Sequence, residues 1–137
     1  MIPILLKGHE RSITYVTYNH DGDLLFTCSK DSFPTVWWAS TGERLGTYNG
    51  HSGTVWQCAV TRTYTMTCAA SFELGIWSIQ CCSSDAGDSK YMLTGSADNS
   101  AKLWDVATGE CLFTWEHHGY VHRKYMCHCK TCLLRCN

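Results

Sequence analysis

The chain has no excess of charge of either sign. Eleven Lys and Arg residues stand against twelve Asp and Glu, a formal net charge of −1 over 137 residues. Such a balance gives no bulk attraction to a polyanion, and direct sequence-specific nucleic-acid binding is not expected. A long apolar run is also missing. A membrane-spanning helix needs about 18 or more consecutive apolar residues, and the nearest stretch, Met66 to Cys82, is broken by Glu73 and by several Ser, Thr and Gln residues. Met1–Leu6 is apolar but too short for the core of a secretory signal, and no small-residue cleavage site follows it. There is no Asn-x-Ser/Thr acceptor and no Gly-x-Ser-x-Gly elbow to expose a nucleophilic serine. What the chain does have in number is cysteine, ten residues of 137. Only Cys28, Cys58 and Cys111 fall in the repeating regions described next; the other seven lie in Thr63–Gly87 and near the C-terminus. With no secretion signal the compartment reads as reducing and the thiols as mostly free.

The sequence says one phrase twice. Gly8-His9 is followed by Lys30-Asp31 and Val36-Trp37-Trp38; Gly50-His51 is followed by Ala97-Asp98 and Leu103-Trp104-Asp105. The interval from Asp31 to Trp37 equals that from Asp98 to Trp104. A unit of about 40–45 residues that opens on Gly-His and closes on Trp-Asp is the pattern of a WD40 repeat, which folds as one blade of a β-propeller. The step from Gly8-His9 to Gly50-His51 is one such unit. The expected fold is therefore all-β: a propeller fragment of about two four-stranded blades. Strands are expected at Ser12–Tyr18, Leu24–Cys28, Thr35–Trp38 and Arg44–Tyr48 in the first copy. In the second they are expected at Thr54–Val60, Lys90–Thr94, Ala101–Asp105 and Cys111–Trp115. Turn residues divide them, Asp21-Gly22-Asp23, Lys30-Asp31-Ser32 and Asp98-Asn99-Ser100 among them. The turn before the last strand repeats outright, Thr41-Gly42-Glu43 and Thr108-Gly109-Glu110.

In a WD40 blade a His before the first strand, a Ser or Thr on the second, an Asp in the following turn and a Trp on the third form a hydrogen-bonded chain. Mapped by position, the two sets are His9, Thr27, Asp31 and Trp37, and His51, Thr94, Asp98 and Trp104. The carboxylate accepts from the imidazole, the imidazole accepts from the hydroxyl, and the hydroxyl accepts from the indole N–H. A hydrolytic triad uses similar groups, but a catalytic site need not recur at matching positions of each repeat, so no catalytic residue and no cofactor is expected. Copy one has Trp38 where copy two has Asp105, which alters the outer edge of that blade.

The phase of the repeat divides the chain into four parts. Residues 1–7 hold the slot of an outermost strand whose own blade is otherwise missing. Residues 8–49 are the first repeat, and 50–116 the second. Residues 117–137 form an unrelated Cys-rich basic tail, expected to be disordered. The second repeat is too long: the interval from His51 to Asp98 is more than twice that from His9 to Asp31. Aligning the copies from both sides places the whole surplus at Thr63–Gly87, in the turn between first and second strands. Its Phe72, Leu74, Ile76, Trp77 and Ile79 are unusually apolar for a solvated loop. In the tail, Cys127, Cys129, Cys132 and Cys136 offer a zinc alternative, but the Cys127–Cys129 spacing is short for tetrahedral ligation. Arg123, Lys124, Lys130 and Arg135 offer contact with RNA phosphates as a lesser alternative. Glu10, Arg11 and Trp56 are candidates for a partner surface, against the plainer reading of a solvated pair and a core indole.

A closer resemblance rests on Ile4 to Thr14, Gly22-Asp23-Leu24-Leu25-Phe26, Gly42-Glu43-Arg44-Leu45-Gly46-Thr47-Tyr48 and Gly95 to Asp105. These segments resemble the N-terminal part of the WD40-repeat subunit i of eukaryotic translation initiation factor 3, over about residues 1–62 and 88–116. The resemblance implies a cytoplasmic seven-bladed propeller without catalysis, neighbour to subunits b and g, in the factor that loads the small ribosomal subunit. Thr63–Gly87 and the tail have no counterpart in that family. The in-frame gain of Thr63–Gly87, an unrelated tail and an early end imply a truncated form carrying retained intron sequence, with weak assembly because its ring cannot close. The rival function is a WD40 protein-interaction adaptor in signalling or ubiquitin ligation, which the Gly-Glu-Arg-Leu-Gly-Thr-Tyr stretch disfavours.

Overall fold

The computed structural model describes residues 2–61, 67–73, 76–82, 90–116, 123–128 and 135–136; for 61, 67–73, 76–82, 123–128 and 135–136 it describes the backbone. The first repeat is a four-stranded antiparallel sheet of β1 (Ile13–Tyr18), β2 (Leu24–Ser29), β3 (Thr35–Trp38) and β4 (Arg44–Thr47), in that order. The second is built from β5 (Val55–Thr61), β8 (Tyr91–Ser96), β9 (Ser100–Asp105) and β10 (Cys111–Glu116), again in chain order across the sheet. Between β5 and β8 run β6 (Thr67–Glu73) and β7 (Ile76–Cys82), and after β10 come β11 (Arg123–His128) and β12 (Arg135–Cys136).

Turn chemistry sets the blade geometry. Gly42 and Gly109 have φ of 76° and 74° in the two Thr-Gly-Glu turns, a left-handed conformation glycine adopts without strain. Each turn closes the same way. The glycine N–H donates to the carbonyl of Trp38 or Asp105 at 2.8 and 2.9 Å. The threonine hydroxyl accepts the amide of Glu43 or Glu110 at 3.3 Å. The first strand of each blade carries a register shift at the same place, between Ile13 and Tyr15 and between Val55 and Gln57. Such a bulge adds local twist.

The blades meet in one core. Phe26, Cys28, Val36 and Tyr48 pack with Val55, Cys58, Met92 and Trp104, all nearly inaccessible. Hydrogen bonds cross the seam: Thr14 Oγ1 donates to the Val55 carbonyl at 2.5 Å, and the Tyr48 hydroxyl donates to the Val106 carbonyl at 3.0 Å. The Tyr48 ring meets Trp104 edge-on, centroids 5.7 Å apart, a favoured aromatic arrangement. Burial pushes the Tyr48 phenol well above its ordinary pKa, so it stays a neutral donor.

Two expectations are corrected. Residues 2–12 contain no strand. A strand is held by a ladder to a neighbour, and among the described residues none runs beside this segment. Instead Ile4 and Leu6 lie over the β3–β4 turn, where a Cβ on Gly42 would fall 2.5 and 2.9 Å from them. The tail, expected to be disordered, contains β11, which pairs antiparallel with β6 from Arg123↔Phe72 to His128↔Thr67. With β7 on one side only, β6 offers an unpaired edge, and such an edge recruits a strand. The 63–87 insertion and the tail thus share a third antiparallel sheet, ordered β7-β6-β11-β12.

Candidate functional site

The sharpest concentration of polar chemistry lies where the loop before each first strand meets the second and third strands. In blade one His9 Nδ1 lies 2.7 Å from Asp31 Oδ2 and His9 Nε2 2.6 Å from Thr27 Oγ1. Trp37 Nε1 donates to the same hydroxyl at 2.8 Å. In blade two the His51–Asp98, His51–Thr94 and Trp104–Thr94 distances are 3.0, 2.6 and 2.8 Å. One assignment satisfies every atom: a neutral imidazole with its proton on Nδ1, donating to the carboxylate and accepting the threonine hydroxyl at Nε2. The strands bring these groups together because β2 and β8 place Thr27 and Thr94 opposite the first strand, at Val16 and Cys58.

The carboxylates also organise their turns. Asp31 accepts the amides of Glu10 at 3.3 Å and Phe33 at 3.1 Å; Asp98 accepts those of Ser52 at 3.0 Å and Ser100 at 2.9 Å. Burial acts to raise Asp31, but His9 and the Phe33 and Glu10 amides outweigh it and hold the carboxyl below its ordinary value. Asp98 is likewise lowered against the pull of burial, by Ser100, the Ser52 amide and His51. Burial lowers His51 below its ordinary value, more than the partly opposing Asp98 restores.

Three contributors escaped the sequence reading. Ser29 and Ser96 sit two positions before the Asp in both copies. Each donates to a loop carbonyl, Arg11 at 3.0 Å and Gly53 at 3.1 Å, and accepts the Asp amide at 3.2 Å. Their matched position was a readable signal. Ser100, opposite in the repeat to Phe33, adds a hydroxyl 2.6 Å from Asp98 Oδ1. The glycine of each Gly-His pair has a steric cause as well: a Cβ on Gly8 or Gly50 would fall 2.7 or 2.8 Å from the six-membered ring of Trp37 or Trp104.

Asp31–His9–Thr27 and its twin carry the groups of a hydrolytic triad, but Thr27 and Thr94 are 2% and 0% exposed and their hydroxyls already hold an indole proton. No substrate carbonyl can reach them, so the arrangement serves as a frame. At the outer edge Asp105 accepts the amides of Ala107 and Thr108 at 3.0 and 3.1 Å. Trp38 in the equivalent slot is 39% exposed, and it lines an open cleft of about 530 Å³ between the blades with Leu24, Leu45, Val106 and Thr108.

Glu10 and Arg11 lie exposed before β1. Trp56 does not share that loop: it occupies the β5 bulge, half-buried, with its Nε1 shut from solvent and without a hydrogen-bond partner among the described residues. Of the zinc alternative, Cys129 and Cys132 lie outside the described residues, while Cys127 is in β11 and Cys136 in β12. Among the described residues no group of three His, Cys, Asp or Glu side chains could hold a metal ion, and no helix is long and apolar enough to cross a membrane.

The doubled frame on two four-stranded sheets agrees with comparison to known proteins. The WD domain, G-beta repeat family matches residues 3–37 and 42–105. The chain belongs to the WD40 family. This WD40 chain is 42% identical over 123 residues to eukaryotic translation initiation factor 3 subunit I of Schizosaccharomyces pombe, a match covering 90% of the chain. It is 47% identical over 116 residues to the subunit I of Mycosarcoma maydis, and 48% over 112 residues to that of Taeniopygia guttata, covering 85% and 82% of the chain. It spans less than a third of these relatives, 30%, 26% and 27% of their lengths.

Proposed function

We propose that this WD40 chain acts as a non-catalytic scaffold in eukaryotic translation initiation factor 3, supporting assembly of the preinitiation complex on the small ribosomal subunit in the cytoplasm. The observation that carries this reading is the similarity to subunit I of two fungi and a bird across more than four-fifths of the chain. The frames support it physically. Buried polar groups that satisfy one another hold loops rigidly at one geometry, and a rigid loop array suits partner binding better than chemistry. Subunits b and g are the proposed neighbours. Glu10 and Arg11, beside the first frame, are the proposed contact residues.

Co-purification after mild chemical cross-linking, which captures weak association, tests the reading. Tagged chain expressed in eukaryotic cells should enrich subunits b and g, by quantitative mass spectrometry, over an unrelated tagged WD40 domain. Equal recovery from both baits overturns the assignment.

A further inference from the structure

The two repeats bury corresponding residues unequally, and the pattern reveals what covers each face. Register makes the residues comparable: Val55 and Cys58 of the second blade match Ile13 and Val16 of the first, because both pairs lie opposite the matching serine and threonine of the next strand. Val55 and Cys58 face the first blade and are 0% and 1% exposed; Ile13 and Val16 are both 49% exposed. The rear face of blade one is therefore open.

The forward faces behave otherwise. Phe26, Val36 and Tyr48 of blade one are buried against blade two. Their counterparts by position are Leu93, Leu103 and Trp115. If nothing stood beyond blade two, these would be as open as Ile13 and Val16. They are 2%, 4% and 8% exposed. The strand that lies beyond is β7, which runs against β5 and β8 as β5 itself runs against β1 and β2. Its sheet continues outward as β6, β11 and β12, four antiparallel strands like a blade. Trp56 agrees with this placement. Its counterpart Thr14 reaches the next sheet's first strand at Val55, and the Trp56 indole nitrogen is itself shut from solvent.

We propose that the 63–87 insertion and the C-terminal tail together form a surrogate blade, seated on the forward face of the second repeat where a third WD40 repeat would stack. The insertion supplies the two strands nearer the second blade and the tail the two outer ones. A repeat leaves an apolar face open until a neighbouring unit covers it, and here the extra segments cover that of the second repeat. A chain so capped does not accept a further blade at that face.

Amide hydrogen exchange on the intact chain tests the sheet, and hydroxyl-radical footprinting of a variant lacking residues 117–137 tests the cap. In the intact chain the Cys68–Phe72 amides, with neighbours on both sides, should exchange at least a hundredfold slower than their unstructured rates. Exchange at the unstructured rate overturns the proposal. Removing the tail should raise oxidation of Trp115 severalfold, because its counterpart Tyr48 reaches the end of the third strand of the next sheet, the place that β11 holds beyond the second blade. Continued protection of Trp104, inside the second frame, would show that the blade itself persists. Oxidation of both also supports the cap, since blade two then depends on it for its fold. Unchanged oxidation of Trp115 overturns it.

Discussion

Replacing Thr94 with Val keeps the shape of the side chain and deletes one oxygen. That oxygen takes the indole proton of Trp104 and gives its own to His51, and Thr94 and Trp104 are both 0% exposed. Thr94→Val therefore leaves two buried polar atoms, Trp104 Nε1 and His51 Nε2, without partners. An orphaned buried group costs about 1–3 kcal/mol, so the variant should lose about 2–6 kcal/mol, a large share of the roughly 5–15 kcal/mol typical of a domain. Thr94→Ser, which keeps the hydroxyl and drops a methyl, should lose about 1 kcal/mol. Adding Trp104→Phe removes one orphan, so the double variant should lose less than the sum of the singles. Urea unfolding followed by tryptophan fluorescence and circular dichroism measures each value, and coincident transitions license the two-state fit. If Thr94→Val lies within about 0.5 kcal/mol of the parent, the range of an ordinary surface change, the frame does not hold the blade.

Gly50→Ala should cost about 1–3 kcal/mol in the same assay, because its Cβ would meet the Trp104 ring at 2.8 Å and overpacking forces that ring to shift. Ser32→Asn should stabilise by up to about 1 kcal/mol, since Ser32 sits at φ 73° where the other copy has Asn99 at 65° and Asn tolerates that conformation better than most residues. Acidification should destabilise in two stages. The pKa of His51 is lowered from 6.5 by burial, so the unfolded chain takes up the proton first; stability is whole above about pH 6.5 and falls as the pH drops beneath it. Asp31 and Asp98, lowered from 3.8, add their loss only as the pH falls below that value; melting temperatures from pH 7.5 to 3 should show both stages, and His51→Gln should lack the first. A hydrogen bond with Cys58, together with burial, pushes the Cys28 thiol well up, so iodoacetamide should label half-buried Cys111 at least tenfold faster than Cys28 or Cys58, read by peptide mass spectrometry.

The eight repeat strands were legible in the sequence to within two positions because turn residues and the doubled motif agree along both copies. Legibility failed where one of these stood alone. Repeat phase by itself assigned a strand to residues 1–7, but phase supplies no partner for a ladder. The apolar content of the insertion was visible, yet β6 and β7 belong to neither repeat. The outer partner of β6, β11, begins only at Arg123, with β8, β9 and β10 intervening in the chain. A pairing that distant leaves no local mark. The frames were legible because Asp-to-Trp spacing is fixed by a tight turn and one short strand. Ser29 and Ser96 were equally regular but belong to a residue type common in turns, and only the hydrogen bonds reveal their role.

The tautomer of the two frame histidines tests most directly whether these blades are held by Asp–His–Thr–Trp chains. Nitrogen-15 shifts of the imidazoles near pH 7.5 should place the proton of both His9 and His51 on Nδ1, and the indole protons of Trp37 and Trp104 should persist for hours in heavy water. Protons on Nε2, or indole signals that vanish at the solvent rate, would contradict it.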